Sequence, residues 1–551
     1  MIAIRYHDAT KHHFGRFSPS LGYLDWATQP DPFRRYVGAP LHALPRSFAP
    51  LPVTYGALYD EPRAAVDISD ESVGEFLRCS MGLSAWKAYG RSRWALRVNP
   101  SSGNLHPTEA WVVRDGRVLH YAPLEHALEE RCVLDAPREG TPAPKDEDGF
   151  LIALTSIAWR EAWKYGERAF RYCQHDVGHA LGALRLAAAM LGWRLRLLSA
   201  WSDGDIARLL GLDREGDFEG AEREEPECVA FVKGRSETAH WDLDAAVGVE
   251  RLAAAASRGA WHGRPNRLSA AHVEWPMLDE VTRATRWPGY SEVRESTARA
   301  PRIPAPRIPP FDRLRAPRAY RGANPESRTP APGARAVILQ RRSALAFASE
   351  GMLRRDAWLA MLDRLRPLSP PWDAIDWPPH VHLVLFVHRV QDVAPGVYAY
   401  LRDPAVKEEW ARAVRPDFLW EPVTGASDRL FLLLPTDVGR VAQRLSCDQA
   451  IAEDGFFSLG MVARFEDALR DRGEAFYRRL FWECGVIGQV LYLEAESIGA
   501  RATGIGCYYD DPVHELLGLS GHAWQSLYHF SMGLPLEDTR LTTEPGYSWE
   551  Q

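Results

Sequence analysis

Lysine is nearly absent from this 551-residue chain. Of 66 Lys and Arg, six are lysine (Lys11, Lys87, Lys145, Lys164, Lys233 and Lys407) and the rest are arginine. A GC-rich coding bias is the plain cause. Yet arginine keeps its proton and lysine can give it up, so each retained lysine is a place to look for proton chemistry. Cysteine is sparse too. The seven (79, 132, 173, 228, 447, 484, 507) form no C-x-x-C pair, which argues against a disulfide framework and against a zinc-site spacing. No stretch reaches the roughly eighteen apolar residues of a membrane span. The best candidate, Ala180 to Trp193, is short and carries Arg185. The start, Met1 to His7, has no apolar core of a secretory signal, so a cytoplasmic protein is expected. Positive charge is not in surplus: the net charge is -7, which disfavours a general nucleic-acid surface.

What is present is ordinary globular material, 46% hydrophobic and 25% charged, long enough for two or more domains. Arg299 to Pro332 is rich in Pro, Arg, Ala and Ser and reads as an extended connector. A shorter break, Pro137 to Gly149, reads as an exposed loop. The expected organisation is a first domain over 1–290, a linker over 291–333 and a second domain over 334–551. The two halves are related. Residues 166–212 align without a gap on 473–519, an offset of 307, with fourteen of 47 positions identical. Matches include Gly166/Gly473, Arg171/Arg478, Gly178/Gly485 and Gly192/Gly499, and the segment closes on Leu-Leu-Gly-Leu both times. Two whole domains have been duplicated and fused, and such a pair can imitate a homodimer.

Within each copy the pattern is α+β. Phe170 to Gly192 has apolar residues at helical spacing and stops at glycine. Arg194 to Ala200 alternates as a strand does, Asp205 to Leu210 forms a short helix with an acidic cap, and Cys228 to Lys233 is a second strand. The other copy repeats this order: helix 475–498, strand 501–508, short helix 512–517, strand 526–533. Ala110 to Val113 and Val381 to Val390 add earlier strands.

Four short segments carry possible chemistry. Arg97-Val98-Asn99-Pro100-Ser101-Ser102-Gly103-Asn104 offers free N–H groups and small hydroxyls to a planar polar ligand, or forms a plain turn. Arg341-Arg342-Ser343 is a natural phosphate grip, or a solvated arginine face. Gly504-Ile505-Gly506 ends a strand with room for close backbone approach. Trp163-Lys164-Tyr165-Gly166 places a lysine beside a phenol, or is a surface pair at a helix. No P-loop and no G-x-G-x-x-G occurs. His175 and His179 stand four apart, but no third metal ligand is evident and packing is the simpler reading.

Taken in order, these segments resemble the FMN-dependent nitroreductase superfamily, and within it the SagB-type dehydrogenases that include thiazoline and oxazoline oxidases. Tyr6-His7-x-x-Thr10-Lys11-His12, Arg168-x-x-Arg171 and Gly178-His179 add to the likeness. The resemblance implies two tandem nitroreductase-like domains, mixed sheets flanked by helices, closed into an intrachain pseudo-dimer. It implies FMN held between the halves. Arg97, Pro100, Ser101, Ser102, Gly103 and Asn104 would come from the first half. Arg341, Arg342, Ser343, Gly504, Ile505, Gly506 and Arg540 would come from the second. The reciprocal set is missing, so one intact and one decayed site are expected. Lys164 would act as base with Tyr165 assisting, as hydride leaves the substrate for flavin. The expected partner is a small or peptide-derived substrate, with NAD(P)H or oxygen as redox partner, in a monomer or homodimer without nucleic acid, membrane or metal. An NAD(P)H-dependent nitro or quinone reductase and a flavin-free scaffold remain as alternatives.

Overall fold

The computed structural model describes residues 1–60, 63–135, 149–234, 248–289, 331–426 and 428–550. Most of the expected linker and of the Pro137–Gly149 loop lies outside these residues. Each half builds a sheet. In the first, the strands run in the order Ala260–Trp261, Ala127–Val133, Arg117–Ala122, Thr108–Arg114, Gly149–Ser156, Glu225–Lys233, Arg194–Leu197. In the second, the order is Phe347–Ala348, Trp524–Pro535, Phe457–Arg464, Val381–Val387, Gly396–Tyr400, Leu430–Pro435, Glu421–Pro422, with Arg501–Ile505 also on Trp524–Pro535. The strand ladders are antiparallel, and a parallel bridge from Ser343 to Ala502 gives the second sheet its mixed character.

The central element of each half is a 22-residue helix, Ala169–Met190 or Phe476–Ser497. Each ends where left-handed backbone is needed, at Gly192 (φ +73°) and Gly499 (φ +77°). Both are buried nearly all round, so they are core helices rather than surface ones. They pack on each other through paired glycines of the repeat. A Cβ on Gly178 would lie 2.8 Å from the Gly485 Cα, and one on Gly485 would lie 2.7 Å from the Gly178 Cα. No larger side chain fits there. One apolar core runs through the helix pair into both sheets, joining Leu154, Val177 and Leu184 with Leu459, Val490 and Phe530.

The termini are exchanged. The helix Ile2–Ala9 belongs to the first half in sequence but docks on the second: Ala3 N–H donates to Glu474 (2.7 Å), and His7 contacts Tyr477 (3.3 Å) and Gln525 (3.1 Å). In return, Thr542–Pro545 adds a strand to the first half's hairpin Leu83–Tyr89 and Ser92–Arg97. Tyr547 then donates to the Pro123 carbonyl (2.6 Å). Several expected boundaries shift. The short helix begins at Asp203, capped by Ser202, with Asp205 as the reciprocal partner of that cap. The strands expected over 194–200 and 501–508 stop at Leu197 and Ile505, where the chain leaves the ladder.

Candidate active site

The four sequence segments come together at one edge of the interface between the halves. The turn Ser102–Asn104 follows the strand Ser92–Arg97 and bends through left-handed backbone at Gly103 (φ +59°), Asn104 (φ +60°) and His106 (φ +52°). Four bonds hold it: Asn104 Nδ2 to the Ala95 carbonyl (2.9 Å), His106 N–H to Ser101 Oγ (2.8 Å), and Ser102 N–H and Oγ to the Asp176 carboxylate (3.1 Å each). Asp176 comes from the first long helix.

Lys164 and Tyr165 end the helix Ala158–Tyr165, which Gly166 (φ +55°) terminates. The pair leans over the turn. A Cβ on Gly103 would lie 2.7 Å from the Tyr165 hydroxyl and 3.2 Å from Lys164 Nζ. The Tyr165 ring packs on Tyr172, centroids 4.3 Å apart. Opposite them stand the second half's glycines. A Cβ on Gly504 would run into the Tyr528 hydroxyl, and one on Gly506 into the Tyr172 ring. Ile505 between them is buried in the second half's core. Pro100 is buried, whereas Ser101, Ser102, Asn104, Lys164, Tyr165, Gly504 and Gly506 are partly open and Gly103 is exposed, forming a strip in an otherwise buried region.

Arg341-Arg342-Ser343 closes the far end. Arg341 is buried against the Tyr492 ring and donates to the carbonyls of Val98 (3.0 Å) and Arg97 (3.1 Å), while its Nη1 has no partner. Arg342 donates to the carbonyls of Leu339 (2.8 Å), Arg341 (2.7 Å) and Ser84 (2.8 Å). Ser343 Oγ meets the Tyr492 hydroxyl at 2.9 Å, and that hydroxyl accepts from the Gly504 N–H (2.8 Å). Glu496 is the neighbouring carboxylate: it acts on both guanidinium groups and takes a backbone bond from Arg342, but it is shared with Arg501 at 3.9 Å. Burial lowers both pKa values, and burial together with the adjacent Arg341 brings Arg342 down to about 9. Two adjacent guanidinium groups beside a hydroxyl, with one shared carboxylate, make a net-positive turn suited to an anion.

Two expected ligands take other roles. Arg97 sends its guanidinium away from the strip, to the carbonyls of Thr108 (3.3 Å) and Pro32 (2.5 Å), and only its carbonyl faces Arg341. Arg540 is exposed and bound to Asp538 (2.7 Å), above Tyr89 rather than at the Arg341–Arg342 turn. His175 and His179 are packing residues: His175 meets the Leu527 carbonyl (3.0 Å) and stacks on Tyr528, and His179 meets the Tyr528 hydroxyl (3.2 Å).

The structure adds two acids. Asp176 is buried, and burial raises it to about 7 against the opposing bonds from Ser101 and Ser102. Glu161, three residues before Lys164, is fully buried with neither carboxylate oxygen hydrogen-bonded, and burial followed by Asp176 raises it well above the usual range. The signal for Asp176 was present in the repeat, whose other copy has Glu483 there.

The equivalent place on the other side of the interface differs. Leu197-Leu198-Ser199 replaces the glycine segment, and the Trp287 indole donates to the Ser199 carbonyl (2.8 Å). Arg479 lies 3.7 Å from the Trp287 ring centroid, and Glu483 is taken up by the N–H groups of His380 and Val381 (3.1 Å each) and by Arg402.

The Nitroreductase family model matches residues 65–221 and 397–534, just over half of the chain and one segment in each half. The chain belongs to the nitroreductase family. Two nitroreductase-like domains in tandem, joined as an intrachain pair, are therefore its architecture. The whole-chain fold is similar to that of a candidate nitroreductase from Anabaena variabilis, with 18% identity over 97% of this chain and 99% of that one, at a TM-score of 0.59. A Ralstonia eutropha candidate nitroreductase (14% identity, 40% of this chain, 98% of that one, TM-score 0.28) matches a smaller part. So does the Escherichia coli microcin synthetase McbBCD complex with truncated pro-MccB17 bound (18% identity, 47% of this chain, 98% of that one, TM-score 0.27). No curated protein matches the chain. Membership of the nitroreductase family makes the chain an oxidoreductase by fold. Among the described residues no helix is long and apolar enough to cross a membrane.

Proposed function

We propose that this nitroreductase-family chain is an FMN-dependent oxidoreductase with one flavin site, built from both halves, and that it acts as a SagB-type dehydrogenase on a peptide-derived or other small substrate. The observation that carries the reading is the Arg341–Arg342 pair beside Ser343, in which buried Arg341 leaves Nη1 unpartnered and the neighbouring carboxylate, Glu496, is shared with Arg501. A phosphate monoester supplies the missing charge and acceptors. The glycine-edged strip from Ser101 to Asn104 and from Gly504 to Gly506 suits the flat remainder of the same cofactor.

When bound, the flavin supplies a hydride acceptor. The protein supplies the rest. Arg341, Arg342 and Ser343 hold the phosphate. Asp176 fixes the Ser102 turn. Lys164 Nζ and the Tyr165 hydroxyl stand over Gly103, where an amine takes the substrate proton and a phenol orients the reacting group. At the reciprocal place Leu197 stands where the second half has Gly504 and Trp287 bonds the Ser199 carbonyl, which supports one flavin per chain rather than two. The visible spectrum and flavin content of the purified protein test this: one FMN per chain supports it, and a colourless protein that takes up no FMN rejects it. Lys164→Arg keeps the positive charge and should bind FMN like the parent while losing the proton acceptor.

A further inference from the structure

Cys507 directly follows Gly506 at the open strip, and Cys447 lies sixty residues away in sequence. Their sulfurs are 2.9 Å apart, in hydrogen-bond contact. Cross-bonds fix the two segments: Tyr509 N–H to the Leu445 carbonyl (2.8 Å), and Gln449 Nε2 to the carbonyls of Ser446 (2.7 Å) and Cys507 (3.0 Å). Cys447 and Asp448 both adopt left-handed backbone (φ +54° and +58°), which turns the Cys447 side chain toward its partner. His12, delivered by the exchanged N-terminal segment, places Nδ1 3.8 Å from Cys507. The other five cysteines are buried, and only these two are partly open.

The groups facing the pair favour one thiolate and one thiol. The hydrogen bond with Cys447 keeps Cys507 down at about 5 against its burial, helped by His12 and Arg168, and the same bond together with burial pushes Cys447 up. Asp510, Tyr172 and Tyr509 also face the site, with Asp510 already engaged by Arg168 and Arg171. A metal centre of His12, Cys447 and Cys507 is the competing arrangement, since their donor atoms lie within 4.8 Å of one another. A tetrahedral zinc with bonds of about 2.3 Å to sulfur holds its sulfurs roughly 3.7 Å apart. The observed sulfurs stand closer than that, at 2.9 Å, nearer to the approach that precedes sulfur–sulfur bonding.

We infer that Cys447 and Cys507 form a thiol–disulfide exchange site, with Cys507 as the attacking sulfur, Cys447 as the resolving sulfur and a small disulfide or disulfide-bearing peptide as substrate. The Cys507 thiolate attacks one sulfur of R–S–S–R, and R–S⁻ leaves and takes a proton from solvent. Cys447 then gives its proton to solvent and attacks Cys507 Sγ, expelling the second R–S⁻, which is protonated in turn. The sum is R–S–S–R plus two protein thiols giving two R–SH and one Cys447–Cys507 disulfide. A dithiol reductant reverses it. This activity needs no flavin, so it stands or falls separately from the reading above.

The test uses the full-length protein, reduced and freed of reductant, then exposed to oxidised glutathione. Remaining thiols are blocked with iodoacetamide and peptides identified by mass spectrometry. The wild type is expected to yield a linked Cys447–Cys507 peptide. Cys447→Ser should trap glutathione on Cys507, at a rate roughly tenfold or more above the labelling of Cys447 in Cys507→Ser. The inference is overturned if the wild type forms no such link while both cysteines remain alkylatable. It is also overturned if the two single variants label equally fast, or if the native protein carries one equivalent of zinc that is lost in His12→Ala.

Discussion

Arg171 meets Asp510 at 2.7 Å, and each comes from a different half of the chain. The relation is doubled: Arg478 meets Asp203 at 2.7 Å, and both members lie 307 positions away from their counterparts. Each arginine leaves its own long helix to bind the helix-opening aspartate of the other copy. This is the interface of a dimer written into one chain.

The two pairs should not be equal. Asp510 is buried, but Arg168 and then Arg171 outweigh that burial and hold its carboxyl well below the usual range. At Asp203 burial outweighs Arg478 and the carboxyl is raised. Removing one partner of a buried pair costs about 3–5 kcal/mol. At pH 7 Asp510→Asn is expected to lose about that much, and Asp203→Asn clearly less, in urea unfolding. The Asp510 contribution is present above the unfolded carboxylate range and falls away as pH drops below about 4. Equal losses in the two variants would contradict this account.

Asp176 should make the protein less stable as pH rises. Its folded value of about 7 exceeds the ordinary aspartate value of 3.8, so the folded state holds the proton more tightly and loses stability between those two pH values. Asp176→Asn can still accept from Ser102 and avoids the buried charge. Its stability relative to wild type should improve by about 2 kcal/mol or more between pH 5 and pH 8. Denaturant melts at both pH values check it, and a difference that does not change with pH would refute it.

Gly178 and Gly485 permit the closest approach of the two long helices. Gly485→Val inserts atoms where backbone already stands, and a loss of about 3 kcal/mol or more is expected. Gly473→Ala, at a position with nothing within 4 Å of the new Cβ, serves as the contrast. It bears only the backbone strain of its positive φ (+81°) and should lose about 1 kcal/mol. Thermal unfolding ranks the two.

Much of this was legible in the sequence. The offset of 307 announced two copies, and helical spacing placed both long helices within two residues of their ends. Pro100 to Asn104, Lys164, Tyr165, Arg341 to Ser343 and Gly504 to Gly506 do gather at one edge. Other features depend on direction or distance, which a one-dimensional pattern does not carry. Arg97 points away because neighbouring side chains on a strand face opposite sides. Arg540 is captured by Asp538, two positions back. The exchanged termini, and the meeting of Cys447 with Cys507 and His12, come from tertiary packing alone. Nothing in the local sequence marks Glu161, whose burial also comes from packing.

The central claim is a single phosphate-anchored flavin site spanning both halves. Equilibrium titration of the purified full-length chain with FMN, beside Arg341→Gln and Arg342→Gln, tests it most directly. The account predicts saturation at one FMN per chain and at least about tenfold weaker binding in each variant, the loss of one charge-assisted contact. Saturation at two FMN per chain, or binding unchanged by both substitutions, would contradict it.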